Sequence, residues 1–361
     1  MDRYPTSVVW SPATRGHDPL HEVWVGVATL GSDVAARVDA ILSALTEAGH
    51  RLVAARPQPD DVLARVHDAS LLDFLAGAEK RWRLGPYARL VGQSRVVPYL
   101  FPTPAMTAGL PTRPAVAVHA EAGSYAYDTM TLVGPGTWEA ARAAVDCAVT
   151  AADLVLAGER LAYALCRPPG HHATRAGFGG SCYLNNAAAA AEALRRGGHQ
   201  RVAVIDIDAH HGNGTAAIFY DRGDVLYGSV HVDPAAGWFP HIVGYADETG
   251  TGDGAGCTRN RPLPEGTTDG AWLEAIGDLA DWAVAAGCSA LVVSLGVDAA
   301  VDDPESPLLV TADGYRRAGS ILGAAGLPAV VVQEGGYHLP TLGGLVAAYL
   351  DGHARTTAET A

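Results

Sequence analysis

From residue 136 onward, short and nearly unbroken apolar runs alternate with stretches of helical periodicity. The runs are Leu161–Cys166, Val202–Asp208, Val225–His231, Ala290–Val297 and Ala329–Gln333. Between them, Trp138–Leu156, Leu184–Arg196, Thr268–Ala286 and Ala312–Ala325 read as helices. Runs rich in Val, Ile and Leu suit strands covered on both faces. Their alternation with helices predicts an α/β fold, a mostly parallel sheet flanked by helices on both faces. Ser7–Trp10 reads as a first strand, and Ser32–Glu47 as a helix with Ser32 as its N-cap. Trp82–Thr137 is punctuated by Pro86, Pro98, Pro102, Pro104, Pro111, Pro114 and Pro135. Such a stretch reads as a surface excursion that forms a rim, a lid or an interface. No shift in composition marks a boundary, so residues 1–361 read as one domain.

Hydrophobic residues make up 48% of the chain and charged residues 18%, enough apolar material for a large core. A disordered or fibrous protein is excluded. The net charge of −14 comes without a long basic run. Nucleic acid and anionic membrane are therefore poor partners, and a cationic small molecule is favoured by the long-range field. The opening MDRYPTSVVWSPATRG has no apolar core of a signal peptide, and no run reads as membrane-spanning. Cys147, Cys166, Cys182, Cys257 and Cys288 contain no CxxC pair, which suits reduced thiols in a cytoplasm.

Four strand ends carry the chemistry. In Ala203–Thr215 an apolar strand runs into Asp206, Asp208 and His210, then into a glycine-rich turn that includes Asn213. Side chains two apart share a strand face, so these three point the same way. Neighbouring carboxylates repel unless a cation lies between them, and a metal is the economical explanation. Arg167–Ala173 places His171 and His172 on an irregular turn, suited to proton transfer. Ser294–Asp298 offers a third ligand, and Val332–Tyr337 brings a phenol close through two glycines. Taken singly, the last three motifs have ordinary structural readings: a surface histidine pair, a turn aspartate, a packed tyrosine. In a parallel sheet, however, all four ends share one edge, where ligands bind. The expected pocket has a metal on Asp208, His210 and Asp298, with His171, His172 and Tyr337 around it. Two carboxylates and one imidazole leave coordination positions open, as catalytic sites do. Zn²⁺ leads, and Fe²⁺, Mn²⁺ or Co²⁺ suit the same donors.

With these residues assembled, the chain resembles the histone deacetylase superfamily, of arginase-like fold. RPPGHHA (167–173), GGSCYLNNAA (179–188), DIDAHHGNGT (206–215), SLGVD (294–298) and EGGY (334–337) carry the likeness, in the family's order. GPGTWEAA (134–141) and SVHVDPAAGWFPHIVGYADETG (229–250) look most like the bacterial acetylpolyamine amidohydrolase branch.

The resemblance implies a deacetylase that hydrolyses N-acetylated amines to acetate and free amine. His172 would be the general base and then acid, with His171 as its partner. Asp206 would orient His171, Asn213 would stand behind His172, and Tyr337 would donate to the oxyanion. A structural K⁺ is implied on Asp206, Asp208, His210, Ser229 and Val230. Gly180, Ser181, Phe239 and Asp128 would form the substrate tunnel and rim. Ser181 stands where relatives usually carry an aromatic residue, which implies a wider tunnel. The rim glutamates of the branch are not cleanly matched: Met130 and His119 fall near their places, with Glu121 and Asp128 close by. A homodimer through the 82–137 loop is implied by the same branch. The alternative substrates are acetyl-lysine in proteins and a bulkier acyl-amine metabolite.

Overall fold

The computed structural model describes residues 4–86, 89 and 92–360. Ten strands are present among them: β1 Ser7–Trp10, β2 His21–Trp24, β3 Val27–Leu30, β4 Arg51–Ala54, β5 Leu161–Ala164, β6 Val202–Asp206, β7 Val225–Val232, β8 Thr258–Leu263, β9 Ala290–Leu295 and β10 Ala329–Gln333. Eight form one sheet in the order β4-β1-β5-β10-β9-β6-β7-β8. Every pairing in it is parallel, so all eight carboxyl ends meet at one edge.

The sheet separates two apolar cores. On β6, Val202 and Val204 enter one core, while Ala203 and Ile205 enter the other. The first core packs beneath the long helix Thr137–Leu156 and the helix Asn186–Arg196; the second packs beneath Asp269–Ala285, Ala312–Ala324 and Leu339–Thr360. The α/β class, the parallel sheet and the two-sided cover are as the sequence predicts.

The strands β2, β3, β4 and β8 are additional to those read from the sequence, and other differences fall at element ends. β6 stops at Asp206 and β9 at Leu295, short of the apolar runs. Beyond β6 the backbone turns to side-chain acceptors: Asp208 N–H donates to Asp206 Oδ1 and Ala209 N–H to Asp298 Oδ1. The first helix begins at Ala36, with Ala35 as N-cap. Ser32 does not cap it; its N–H donates instead to Glu22 Oε1. Asp33, in turn, is drawn into buried ion pairs with Arg37 and Arg167.

An antiparallel hairpin, β2–β3, stands apart from the main sheet. Its turn, Val25–Gly26, has φ of 50° and 80°, a conformation that valine rarely adopts. Residues 87, 88, 90 and 91 of the expected 82–137 rim lie outside the described residues. The rest includes the short helices Pro104–Thr107 and Val118–Glu121 and the 3-10 turn Ala122–Ser124, and exposes Tyr99, Met106, Leu110 and Val116.

Candidate active site

Strand parity places the polar residues on one side of the sheet edge. Val202 and Val204 face the first core while Ile207 and Ala209 continue the second, so Asp206, Asp208 and His210 fall on the first side. On β9 and its extension, Ala290 and Val292 face the first core and Val297 the second, which puts Ser294 and Asp298 beside them. On β10, Val330 and Val332 bring Glu334 to the same side. Register completes the row: Asp206 stands opposite Ser294 on β9 and Ser229 on β7.

Asp208, His210 and Asp298 offer donor atoms that all lie within 4.8 Å of one another. His210 Nδ1 is 3.1 Å from Asp298 Oδ2 and 3.3 Å from Asp208 Oδ1. Backbone amides fix both carboxylates: Gly335 N–H donates to Asp208 Oδ2 and Ala209 N–H to Asp298 Oδ1, each at 2.9 Å. Glycine is required at 335, because a Cβ would stand 2.3 Å from Asp298 Oδ2. Burial, then the neighbouring Asp208, push the Asp298 carboxyl well above the ordinary range. Two carboxylates so confined are relieved by a divalent cation, and this donor set fits one.

The two histidines sit on the turn after β5, with ring centroids 4.0 Å apart. His171 Nδ1 is 3.0 Å from Asp206 Oδ2; His172 Nδ1 is 2.7 Å from Asn213 Oδ1. Burial opposes charge on His171, but Asp208 and Asp206 overcome it and push the imidazole up to about 10. Burial, then His171 and His210, hold His172 well below its ordinary value, so it is neutral and able to accept a proton. Glu334 anchors the turn from beneath: its Oε2 accepts the amides of Gly170 and His171 at 2.7 and 3.1 Å. The sequence reading did not single out this buried carboxylate. Its signal was the acid opening EGGY directly after an apolar strand.

Tyr337 is held from two sides. Its N–H donates to Asp303 Oδ2 at 2.6 Å, and the Arg37 guanidinium lies over its ring at 4.9 Å. Arg37 also donates to the carbonyls of Gly336 and Glu334, both at 2.6 Å. Burial, then Glu305, keep the phenol protonated far above neutrality.

A cavity of about 500 Å³ opens above His210, with Trp24, Met130, Trp238, Phe239, Glu22 and Glu305 on its wall. Phe239 meets the His172 ring edge-on at 4.7 Å. Gly180 lies against both: a Cβ there would stand 2.4 Å from the His172 ring and 2.8 Å from Phe239. Ser181, at φ 62°, does not line this cavity; its N–H donates to Thr131 Oγ1. Asp128 accepts the amides of Met130, Thr131 and Gly180. Glu121 is paired with Arg81. Ser229 and Val230 are fully buried on β7, and Ser229 Oγ is 2.8 Å from His231 Nδ1. Tyr127 was missed in the sequence; it donates to the His172 carbonyl at 2.6 Å and stacks on Phe239.

The chain is similar to known proteins over most of its length. The histone deacetylase domain matches residues 32–352. The acetylpolyamine amidohydrolase of Mycoplana ramosa is 43% identical over 319 residues, 88% of this chain and 91% of that protein. Histone deacetylase 8 of Arabidopsis thaliana is 41% identical over 231 residues, 62% of this chain and 61% of that one. The crystal structure of the acetylpolyamine aminohydrolase of Burkholderia pseudomallei superposes with a TM-score of 0.90 at 37% identity, covering 97% of this chain and 99% of that one. The chain belongs to the histone deacetylase family.

Proposed function

We propose that the protein is a metal-dependent amidohydrolase that releases acetate from N-acetylated amines of the acetylpolyamine type. The observation that carries this reading is the Asp208–His210–Asp298 cluster, which reaches the cavity through His210, with a neutral His172 ring 6.4 Å from the His210 ring. The relatives named acetylpolyamine amidohydrolase support it.

Asp208, His210 and Asp298 would hold the metal, with Zn²⁺ first and Fe²⁺, Mn²⁺ or Co²⁺ on the same donors. Such an ion, when bound, acidifies water and withdraws electrons from a carbonyl. His172 accepts the proton of the attacking water at Nε2, because its Nδ1 is turned to Asn213. It later returns that proton to the departing amine nitrogen. His171, held by Asp206, keeps a positive charge beside it and restrains its basicity. Tyr337 donates a hydrogen bond to the amide oxygen as negative charge gathers there. Phe239 and Gly180 form the tunnel next to His172, and Asp128 shapes the rim through Gly180. A K⁺ on Asp206, Asp208, His210, Ser229 and Val230 would brace the carboxyl ends of β6 and β7.

The test is acetate release from acetylputrescine, acetylspermidine, an acetyl-lysine peptide and longer acyl amides by metal-loaded protein. The reading expects the acetylpolyamines to lead. A peptide turned over faster than every small amine favours a protein deacetylase instead, and no release from any of them rejects the hydrolase.

A further inference from the structure

Tyr127 closes a loop of contacts that begins and ends on His172. Its hydroxyl is 2.6 Å from the His172 carbonyl oxygen, and Asn213 Oδ1 is 2.7 Å from His172 Nδ1. The remaining contact joins the two, because the Asn213 side chain hydrogen-bonds to the Tyr127 phenol. Tyr127 keeps its place by means other than that hydroxyl. Its ring stacks on Phe239 at 6.3 Å and 17°, and its N–H donates to the Phe178 carbonyl at 3.1 Å. Gly179 lies against the ring, where a Cβ would stand 2.1 Å from it. Tyr127 does not line the cavity above His210, so its reach toward the chemistry runs through Asn213 and the His172 backbone.

The protons of this loop have one consistent arrangement. Two oxygens 2.6 Å apart need a proton between them, and a carbonyl has none, so the phenol proton points at His172. The phenol oxygen keeps only lone pairs, and toward Asn213 it accepts and cannot donate. The end of Asn213 that faces it is therefore the amide nitrogen. That turns Oδ1 to His172 Nδ1, which must then carry the hydrogen. The opposite amide orientation would set Oδ1 against the phenol lone pairs and an N–H against Nδ1. Nδ1 would then be the bare nitrogen and Nε2 would hold the proton, the form that cannot accept one from water. A carboxylate at 213 would present like oxygens at both ends and leave no orientation to choose. An amide has two unlike ends, so the tautomer of His172 depends on what stands at the far one.

We propose that Tyr127 is a positioning residue for the hydrolysis: by committing its proton to the His172 carbonyl it fixes the Asn213 amide, and with it the Nδ1–H tautomer that leaves Nε2 free as the base. The proposal rests on the hydrolase reading above and adds the residue that sets the proton on its base.

The deciding experiment reads the tautomer, independent of turnover. Nitrogen-15 NMR of the zinc-loaded, histidine-labelled full chain at neutral pH tells a protonated ring nitrogen from a bare one, and the His172 signals are identified by their loss in His172→Gln. The parent is expected to show Nδ1 protonated and Nε2 bare. In Tyr127→Phe, which keeps the ring on Phe239, the Nε2–H form is expected to appear beside it. A second measurement follows acetate release. Tyr127→Phe is expected to lose about tenfold in kcat with KM within about twofold, a part of what a positioned base contributes. In an Asn213→Asp background the same change is expected to lose less than about threefold, because a carboxylate has no wrong end. A Tyr127→Phe protein with the parent's tautomer overturns the proposal, and so does a parent with Nε2 protonated. Equal losses of kcat in the two backgrounds overturn it as well, since they mark a hydroxyl that only holds the His172 backbone. Absence of acetate release from every amide counts against the hydrolase alone, because the NMR still decides the role of Tyr127.

Discussion

The Nδ1 of His172 lies 2.7 Å from the side-chain oxygen of Asn213, a neutral acceptor. An amide oxygen accepts the Nδ1 proton and leaves the Nε2 lone pair free toward the cavity. It supplies no negative charge to stabilise an imidazolium. With His171 and His210 both opposing that charge, His172 stays neutral to low pH.

Asn213→Asp adds the missing anion at the same distance. His172 should become more basic, and the acid limb of the kcat/KM profile should move up by about one unit, as for an opposite charge within hydrogen-bond reach. A pH–rate profile of the two proteins measures this. An unmoved limb means that Asn213 does not set the basicity of His172.

Tyr337→Phe removes the phenolic donor while keeping the ring under Arg37. The expected loss is about 10²-fold or more in kcat, the scale for one oxyanion donor. Metal content is measured alongside. A fully loaded variant with the parent's kcat would remove Tyr337 from the chemistry.

The parts legible in the sequence share one physical origin. β6, β9 and β10 are buried on both faces, so their apolar runs are unbroken and their polar ends stand out. Period two then carries past the strand ends and aligns Asp208, His210 and Asp298. The hairpin was hidden because Val25–Gly26 lacks the usual Asn or Asp of a positive-φ turn. Ser32 looked like a cap because local spacing cannot show that Glu22, ten residues earlier, takes its amide. Glu22 and Glu305 belong to no motif; only the packing of the hairpin against the active-site edge joins them at one cavity.

Divalent metal should stabilise the protein by an amount that grows with the logarithm of its concentration above Kd. Asp208 and Asp298 repel within a buried site, and a cation that binds only the folded chain adds about 2.7 kcal/mol at a hundredfold excess over Kd. Thermal melts with and without Zn²⁺, after chelation, should show a rise in Tm for the parent. Asp298→Ala should lose most of that rise together with activity. An equal shift in the variant would place the stabilising ion elsewhere.

Acid should unfold the protein through a set of buried histidines outside the Asp208–His210–Asp298 triad. Burial holds His17, His67, His231 and His353 down to about 4, below the 6.5 of an exposed imidazole. His67 shows the reason in its bonds: Nδ1 meets the Thr174 carbonyl at 2.9 Å, and Nε2 accepts the Asn185 amide at 2.9 Å. Only the neutral ring can do both. For a histidine with a depressed folded value the sign is fixed. Its contribution is fully present above about 6.5 and is lost as pH falls toward 4, because the unfolded chain takes the proton first. Each such group contributes a slope of up to about 1.4 kcal/mol per pH unit in that window. Urea melts between pH 4.5 and 7.5 should therefore show a plateau above 6.5 and a steep fall below it. His353, beside Tyr349 on the last helix, has an unpartnered Nε2, so His353→Leu removes one titrating group and costs the 3.3 Å bond to the Tyr349 hydroxyl, a loss that is constant over pH 6.5–7.5. The difference between the variant and parent curves isolates that group from any metal lost in acid. It should be constant above pH 6.5 and move in the variant's favour below. Parallel curves down to pH 4.5 would show that His353 is not held neutral by the fold.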